Sequence, residues 1–504
     1  MKHHKILSLF NVALFCVIAG LCYGVALTFT TMPLEGGAIA VLCFGPAYLY
    51  LDRKLTPGIL IGPSSYVYIY HALNYSVGPL AQRYILNAEV FIEKGMILAQ
   101  WGAVLGLITF LIVYPIVFRN MAINFSRGKN KRQIAILEGT SWDNYTLLLL
   151  LISVIIVVFG YLSGGARKIG GLGSMESSTL TNVIISSFWT VKMVVFFFLG
   201  YLAVKRRGWW KFLAVFTYIA YAVFETLEGN RGPLINSMFM MATGLVWAGY
   251  SVRKVLIGLC LMAVLAVPLA GVVDVYRSYT TIAQYEEGFF ERISNFYVAL
   301  QKIGTDNNGN EKVAYEAFIY AASALTVDRV MVMTPDVIPY AGLDNMSAIF
   351  YIFIPKLFAP NRPIIDDGNS IAAIFGVGEG SNSVFYYVPS VGEGYRRFGW
   401  IGIPLIYTLS GAIFGTLLAI CWVNRFKSEW MAMFLFLLIQ APGVWSITFN
   451  YAVYFALFVA TKHYIYFWSL KKLQVLLTSV FNFIRRPWLR QRLIKYQVTI
   501  GNNP

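Results

Sequence analysis

Long apolar runs alternate with short polar connections along nearly the whole chain. The runs repeat at about 20 residues, enough for a helix to cross roughly 30 Å of hydrocarbon. Twelve spans are predicted, near 6–29, 36–51, 57–77, 96–118, 144–162, 181–204, 209–227, 232–250, 255–276, 398–423, 430–446 and 447–467. The second and third are the weakest, the third carrying Pro63, His71 and Asn74. The first run is too long for a signal-peptide core and lacks a small-x-small cleavage pattern, so it reads as a retained helix.

The alternation breaks once, over residues 277–397. Two stretches there, AFIYAASALTV (317–327) and AIFYIFIPKLF (348–358), predict short helices lying on a membrane or packed on the bundle. Long segments that are ordered are commonly functional. The expected architecture is an all-α polytopic membrane protein. Helices 1–9 occupy 1–276, a large external loop 277–397, helices 10–12 398–467, and a basic tail 468–504.

Composition strengthens this picture. Of 504 residues, 58% are hydrophobic and 13% charged, against about 25% charged in a soluble domain. The net charge of +16 would suit a nucleic-acid binder, but its placement says otherwise. With the N-terminus in the cytoplasm, the even-numbered connections carry DRK (52–54), RGKNKR (127–132), KRRGWWK (205–211), VRK (252–254) and NRFK (424–427). The short odd-numbered connections hold only Arg83, Lys94, Arg167, Lys168 and Arg231. That asymmetry follows the positive-inside rule and puts both termini in the cytoplasm. The tail stretch RRPWLRQRLIKY (485–496) reads as a topology anchor or a contact for the anionic inner leaflet.

Five cysteines all fall inside apolar runs, so no disulfide framework is implied. Four scattered histidines give no zinc pattern, and no phosphate-binding glycine fingerprint occurs. Neither cofactor nor metal is expected.

The candidate chemistry gathers at the outer side. LEGNRGPL (227–234) places Arg231 before Pro233, with Asn230 as a helix cap. A helix start offers free N–H groups, and a guanidinium fork matches phosphate. The alternative is a boundary turn whose charges reach water. Arg277 falls where the ninth span meets the outer face, and Arg362 lies between two prolines, Pro360 and Pro363. Glu393, Arg396 and Arg397 precede the tenth span in VGEGYRRFGWIG. Lys192 lies mid-span, costing about 2.5–3.5 kcal/mol on insertion scales. It either lines a cavity or snorkels outward. For a base the candidates are Glu393, flanked by glycines, and its rivals Asp366, Asp367 and Glu228.

Three motifs in order resemble the Wzy-type polymerases of bacterial surface polysaccharides. They are Gly229-Asn230-Arg231 before an apolar span, Phe353-Ile354-Pro355 with Pro360-Asn361-Arg362-Pro363, and Gly392-Glu393 with Phe398-Gly399 and Gly402. The resemblance covers nearly the whole chain and implies a Wzy-like, GT-C-like bundle in the bacterial inner membrane. It implies an externally facing, metal-independent glycosyltransferase working on undecaprenyl-diphosphate-linked glycan. Under it, Arg231, Arg277 and Arg362 hold the diphosphate and Glu393 is the base. Arg396, Arg397, Asn230, Asp366, Asp367 and Lys192 then bind substrate. A chain-length regulator and a flippase are the implied partners, alongside membrane lipids, with no nucleic acid. The related ligases use an external-loop histidine, which this chain lacks. A ligase, a lipid-linked oligosaccharide flippase and an export-complex scaffold remain the alternatives.

Overall fold

A computed structural model describes residues 2–30, 32–85, 91–127, 141–162, 179–206, 208–227, 232–261, 293–298, 301, 325–344, 346, 374–376, 388–441 and 449–479. Among them there are helices and turns but no strand. The helices that matter below are α1 (Lys2–Thr28), α2 (Pro33–Leu42), α3 (Gly45–Leu55), α4 (Pro63–Ala72), α5 (Gly78–Tyr84) and α6 (Glu93–Ser126). They continue as α7 (Ser141–Leu162), α8 (Thr179–Lys205), α9 (Trp209–Leu227) and α10 (Gly232–Trp247). After the long loop come α11 (Leu325–Met333), α12 (Ser390–Phe398), α13 (Gly402–Val423), α14 (Ser428–Gln440) and α15 (Phe449–Tyr454).

Among the described residues, five stretches are long and apolar enough to cross a membrane: Leu9–Thr28, Pro33–Leu55, Glu93–Ser126, Trp209–Leu227 and Ser390–Val423. The protein is therefore an α-helical membrane protein. Two of the expected spans are interrupted. The second is split into α2 and α3, and the third holds α4 and a π-helical turn over Leu73–Val77 that leads into α5. A buried carboxylate supports the restart after α3. Asp52 accepts from the backbone N–H groups of Ser64 at 3.1 Å and Ser65 at 2.7 Å, satisfying two donors that the first turn of α4 leaves open.

α6 and α13 form the centre, packed side by side along most of their length. They run in the same direction, because Gly102 meets Ile403 near their starts and Gly415 meets Phe118 further along. α8 and α10 make the second extensive pair, flanked by α7 and α9. α14 touches α4, α7 and α8 and so joins the two groups.

Contacts also fix which ends lie together. Trp247 at the end of α10 packs edge-on against Trp422 at the end of α13, 5.8 Å between ring centroids. Gly58, between α3 and α4, lies against the same Trp247. Arg206 after α8 pairs with Asp143 at the start of α7 at 2.8 Å. Phe10 of α1 meets Tyr50 of α3, which brings the start of α1 to this end as well. The connections that follow α3, α8, α10 and α13, four of the five that carry the Lys/Arg clusters, thus share one end of the bundle. The opposite end carries the starts of α6 and α10, the end of α9, and α11 and α12. It is called the site end below.

Candidate functional site

At the site end, the glycine-rich stretch VGEGYRRFGWIG forms α12, a sharp turn, and the start of α13. Pro389 sits at the N-cap of α12, and its carbonyl accepts the Glu393 amide at 2.8 Å. Gly399 ends the helix with φ +62, a left-handed geometry that costs glycine little. Gly394 and Gly402 face each other across this turn. A Cβ on Gly402 would stand 1.9 Å from the Gly394 carbonyl oxygen, so no larger residue fits. The 22 residues of α13 span about 33 Å, enough by themselves to match the hydrocarbon thickness.

α12 carries a charge cluster inside the protein. Glu393 is fully buried. Arg396 reaches its Oε2 through Nη2 at 2.6 Å and Nε at 3.2 Å. Arg397 donates from Nε to Oε1 at 2.6 Å. The spacings i,i+3 and i,i+4 place all three side chains on one helix face. Arg397 then extends outward from the cluster: its Nη1 donates to the carbonyls of Gly342 at 3.0 Å and Asp344 at 2.8 Å. The 341–344 turn returns the contact, since the N–H groups of Ala341 and Gly342 donate to the Arg396 and Arg397 carbonyls at 2.9 and 3.1 Å. Tyr395 packs between Tyr340 and Trp400, with centroid distances of 6.3 and 5.6 Å.

α11 lies against both α6 and α12. Its Asp328 is buried and accepts the Ile92 N–H at 2.6 Å, at the N-cap of α6. Burial raises the Asp328 carboxyl to about 6, although the backbone donors of Ile92 and Arg329 pull the other way.

Lys192 occupies a second locus at the same end. It is buried and pairs with Glu225, itself fully buried and two residues from the end of α9. Mid-helix in sequence therefore does not mean mid-bundle. α8 begins 13 residues before Lys192, about 20 Å along its axis, so its first turns project beyond the end of α9. The Lys192 ammonium also lies 5.2 Å from the Tyr221 ring centroid. The Tyr221 hydroxyl lies near the Glu225 carboxylate, yet neither it nor Glu225 Oε2 makes a hydrogen bond of ordinary length among the described residues.

A cavity of about 270 Å³ opens beside this pair, walled by Ser153 and Val154 of α7, Lys192 and Phe196 of α8, and Tyr221 and Phe224 of α9. Its lining is almost wholly apolar. Lys192 lines this hollow, whose wall carries no arginine.

The structure brings Glu393, Arg396 and Arg397 into one cluster and sets Lys192 at the same end of the bundle. Asn230, Arg231, Arg277, Arg362, Asp366 and Asp367 lie outside the described residues, as does Glu228. Sequence reasoning passed over Glu225 and Asp328. Glu225 had a usable signal, an acid inside an apolar run with no local cation. Among the described residues, no group of three or more His, Cys, Asp or Glu side chains is arranged to hold a metal ion. No family model matches the chain, and no solved structure matches it.

Proposed function

We propose that the chain is a lipid-linked repeat-unit polymerase of the Wzy-type group that its motifs resemble, with twelve spans and both termini in the cytoplasm of a bacterial inner membrane. The observation that carries this reading is the docking of the late loop. α11 packs on α6 and α12, while α12 packs on α13 and holds the 341–344 turn through its buried carboxylate–arginine cluster. That gives arginine-bearing segments a rigid base at the outer face, the side opposite the basic connections.

In the proposed reaction, the terminal hydroxyl of a single lipid-linked unit attacks the anomeric carbon of the growing glycan. The bond from that carbon to the diphosphate oxygen breaks, and undecaprenyl diphosphate leaves. A carboxylate takes the hydroxyl proton. Charge builds on the departing diphosphate, so preplaced guanidinium groups act where the transition state needs them. Arg231, Arg277 and Arg362 fill this role. Lys192 and the apolar cavity below it suit the lipid's hydrocarbon chain.

The cluster geometry bears on the base. Both Glu393 oxygens are already held by the guanidinium groups of Arg396 and Arg397, and the side chain is fully buried. We therefore assign Glu393, with Arg396 and Arg397, to holding the loop in place. The proton goes to Asp366, Asp367 or Glu228.

The test is Arg231→Ala in cells. It should abolish polymer while protein in the membrane stays near wild-type amounts. Normal polymer in that variant removes Arg231 from the site and with it the diphosphate cradle.

A further inference from the structure

The stretch PDVIPYAGLD (335–344), which follows α11, turns one apolar side chain inward and leaves three outside. Ile338 packs against the hydrophobic core. Val337, Tyr340 and Leu343 are exposed, Val337 by 70% and Leu343 by 72%. The backbone beneath them is tied down. The N–H groups of Val337 and Ile338 donate to the Met333 carbonyl of α11 at 2.8 and 3.0 Å. Arg397 of α12 holds the carbonyls of Gly342 and Asp344, as described above.

This apolar tip adjoins the start of α13. A Cβ on Gly399 would stand 3.0 Å from the Tyr340 hydroxyl. The Tyr340 ring meets Tyr395, which in turn meets Trp400. Trp400 and Ile401 are themselves exposed, Ile401 by 71%. From Ile401 the exposed side continues along α13 through Leu405 and Thr408, at helical spacing. It lies opposite Ile403 and Tyr407, which pack on Gly102 and Gly106 of α6. α13 belongs to the stretch Ser390–Val423, one of the five long and apolar enough to cross a membrane, so this stripe is its lipid-facing side.

An exposed apolar patch with a polar rim marks a contact with either a protein or a membrane. Three features favour lipid. The patch runs without a break into the stripe of a membrane-spanning helix. Tyr340 and Trp400 sit where that stripe ends, and these side chains are enriched at membrane–water boundaries. Val337, Leu343, Ile401 and Leu405 offer no group that could hydrogen-bond a sugar or a polar partner. The exposed Asp336 and Asp344 bracket the tip and limit how deep it can sink, since a carboxylate is costly in hydrocarbon. We infer that the 337–343 tip is an interfacial foot resting in the membrane leaflet at the site end. Val337, Leu343 and Ile401 enter the acyl boundary, and Tyr340 and Trp400 lie at headgroup level. Because Arg397 grips the foot, the buried Glu393 cluster is held at the level of the membrane surface. The foot requires that α13 cross the membrane, and nothing of the polymerase reaction.

The test places the photo-crosslinking residue p-benzoylphenylalanine at position 337, 343 or 408 of the full chain, one position at a time, in nanodiscs of phosphatidylcholine. After irradiation, adducts are identified by mass spectrometry. Position 408, on the lipid-facing stripe of α13, is the reference. Lipid adducts at 337 and at 343 should come within about threefold of those at 408. The second tip position keeps the test decisive if one variant fails to accumulate. A lower lipid yield at both tip positions overturns the foot. Adducts formed mainly with a second protein chain also overturn it and make the patch a protein interface.

Discussion

Glu393 and Glu225 are both fully buried carboxylates paired with basic side chains, but they are built in different ways. Glu393 takes both partners from its own helix, and each of its oxygens is engaged. Glu225 takes its partner from a neighbouring helix, and its Oε2 has no hydrogen bond of ordinary length among the described residues. The first cluster is closed and reaches out only through Arg397 to the 341–344 turn. The second borders a cavity. Buried ion pairs are weak evidence for stability, since desolvation offsets much of the attraction. What distinguishes the two is what each leaves over: Glu393 nothing, the second pair an oxygen on Glu225 and a hollow beside Lys192. The closed cluster suits a structural anchor, and the open pair suits a place where something binds.

Breaking each pair should separate them. The largest effect is expected for Glu393→Ala, which leaves Arg397 buried without its anion. A guanidinium does not shed its proton in a protein, so the charge stays. A loss of about 3–5 kcal/mol is expected, read as a lowered unfolding temperature in detergent and as poor accumulation in membranes. Lys192→Met should cost less, about 1–3 kcal/mol, the cost of leaving one buried hydrogen-bonding group without its partner. The double variant Lys192→Met/Glu225→Leu should return to within about 1 kcal/mol of wild type or exceed it. A double variant as unstable as Glu393→Ala would make the second pair an anchor too and erase the contrast.

Asp328 sharpens the comparison with a smaller effect, because it is a buried acid held by backbone N–H groups and not by a paired cation. Its folded carboxyl stands near 6, above the usual 3.8. A raised acid favours the protonated form on folding, so its contribution is complete below about 4 and is lost as pH rises through about 6. Stability should therefore drift down between these values, by less than about 1.4 kcal/mol per pH unit. Asp328→Asn should flatten the drift. Unfolding in detergent at several pH values reads it, and a drift in the opposite direction would contradict the assignment.

The same contrast explains what the sequence made legible. The i,i+3 and i,i+4 spacing of Glu393, Arg396 and Arg397 could be read from five letters of sequence, and so could their grouping. Their mutual pairing shows only once burial is known, because an exposed helix with that spacing would leave Glu393 free. The Lys192–Glu225 pair joins residues on two helices, and the register between helices is set by packing that no local pattern records. Helix positions follow the hydropathy pattern closely, as in α6 and α13. The breaks at 43–44 and 73–77 do not, because an apolar run reads alike whether its backbone is continuous or interrupted. Three glycines of the VGEGYRRFGWIG stretch serve the backbone itself, in the close approach of Gly394 to Gly402 and the turn at Gly399.

The most direct measurement is reconstitution of the purified protein in liposomes with undecaprenyl-diphosphate-linked repeat units as the only substrate. Each successive transfer adds one unit, so the account predicts a ladder of glycans spaced by a single repeat, formed without added metal or nucleotide sugar. A single transfer to a different acceptor, or passage of the substrate across the bilayer with no new glycosidic bond, would contradict it.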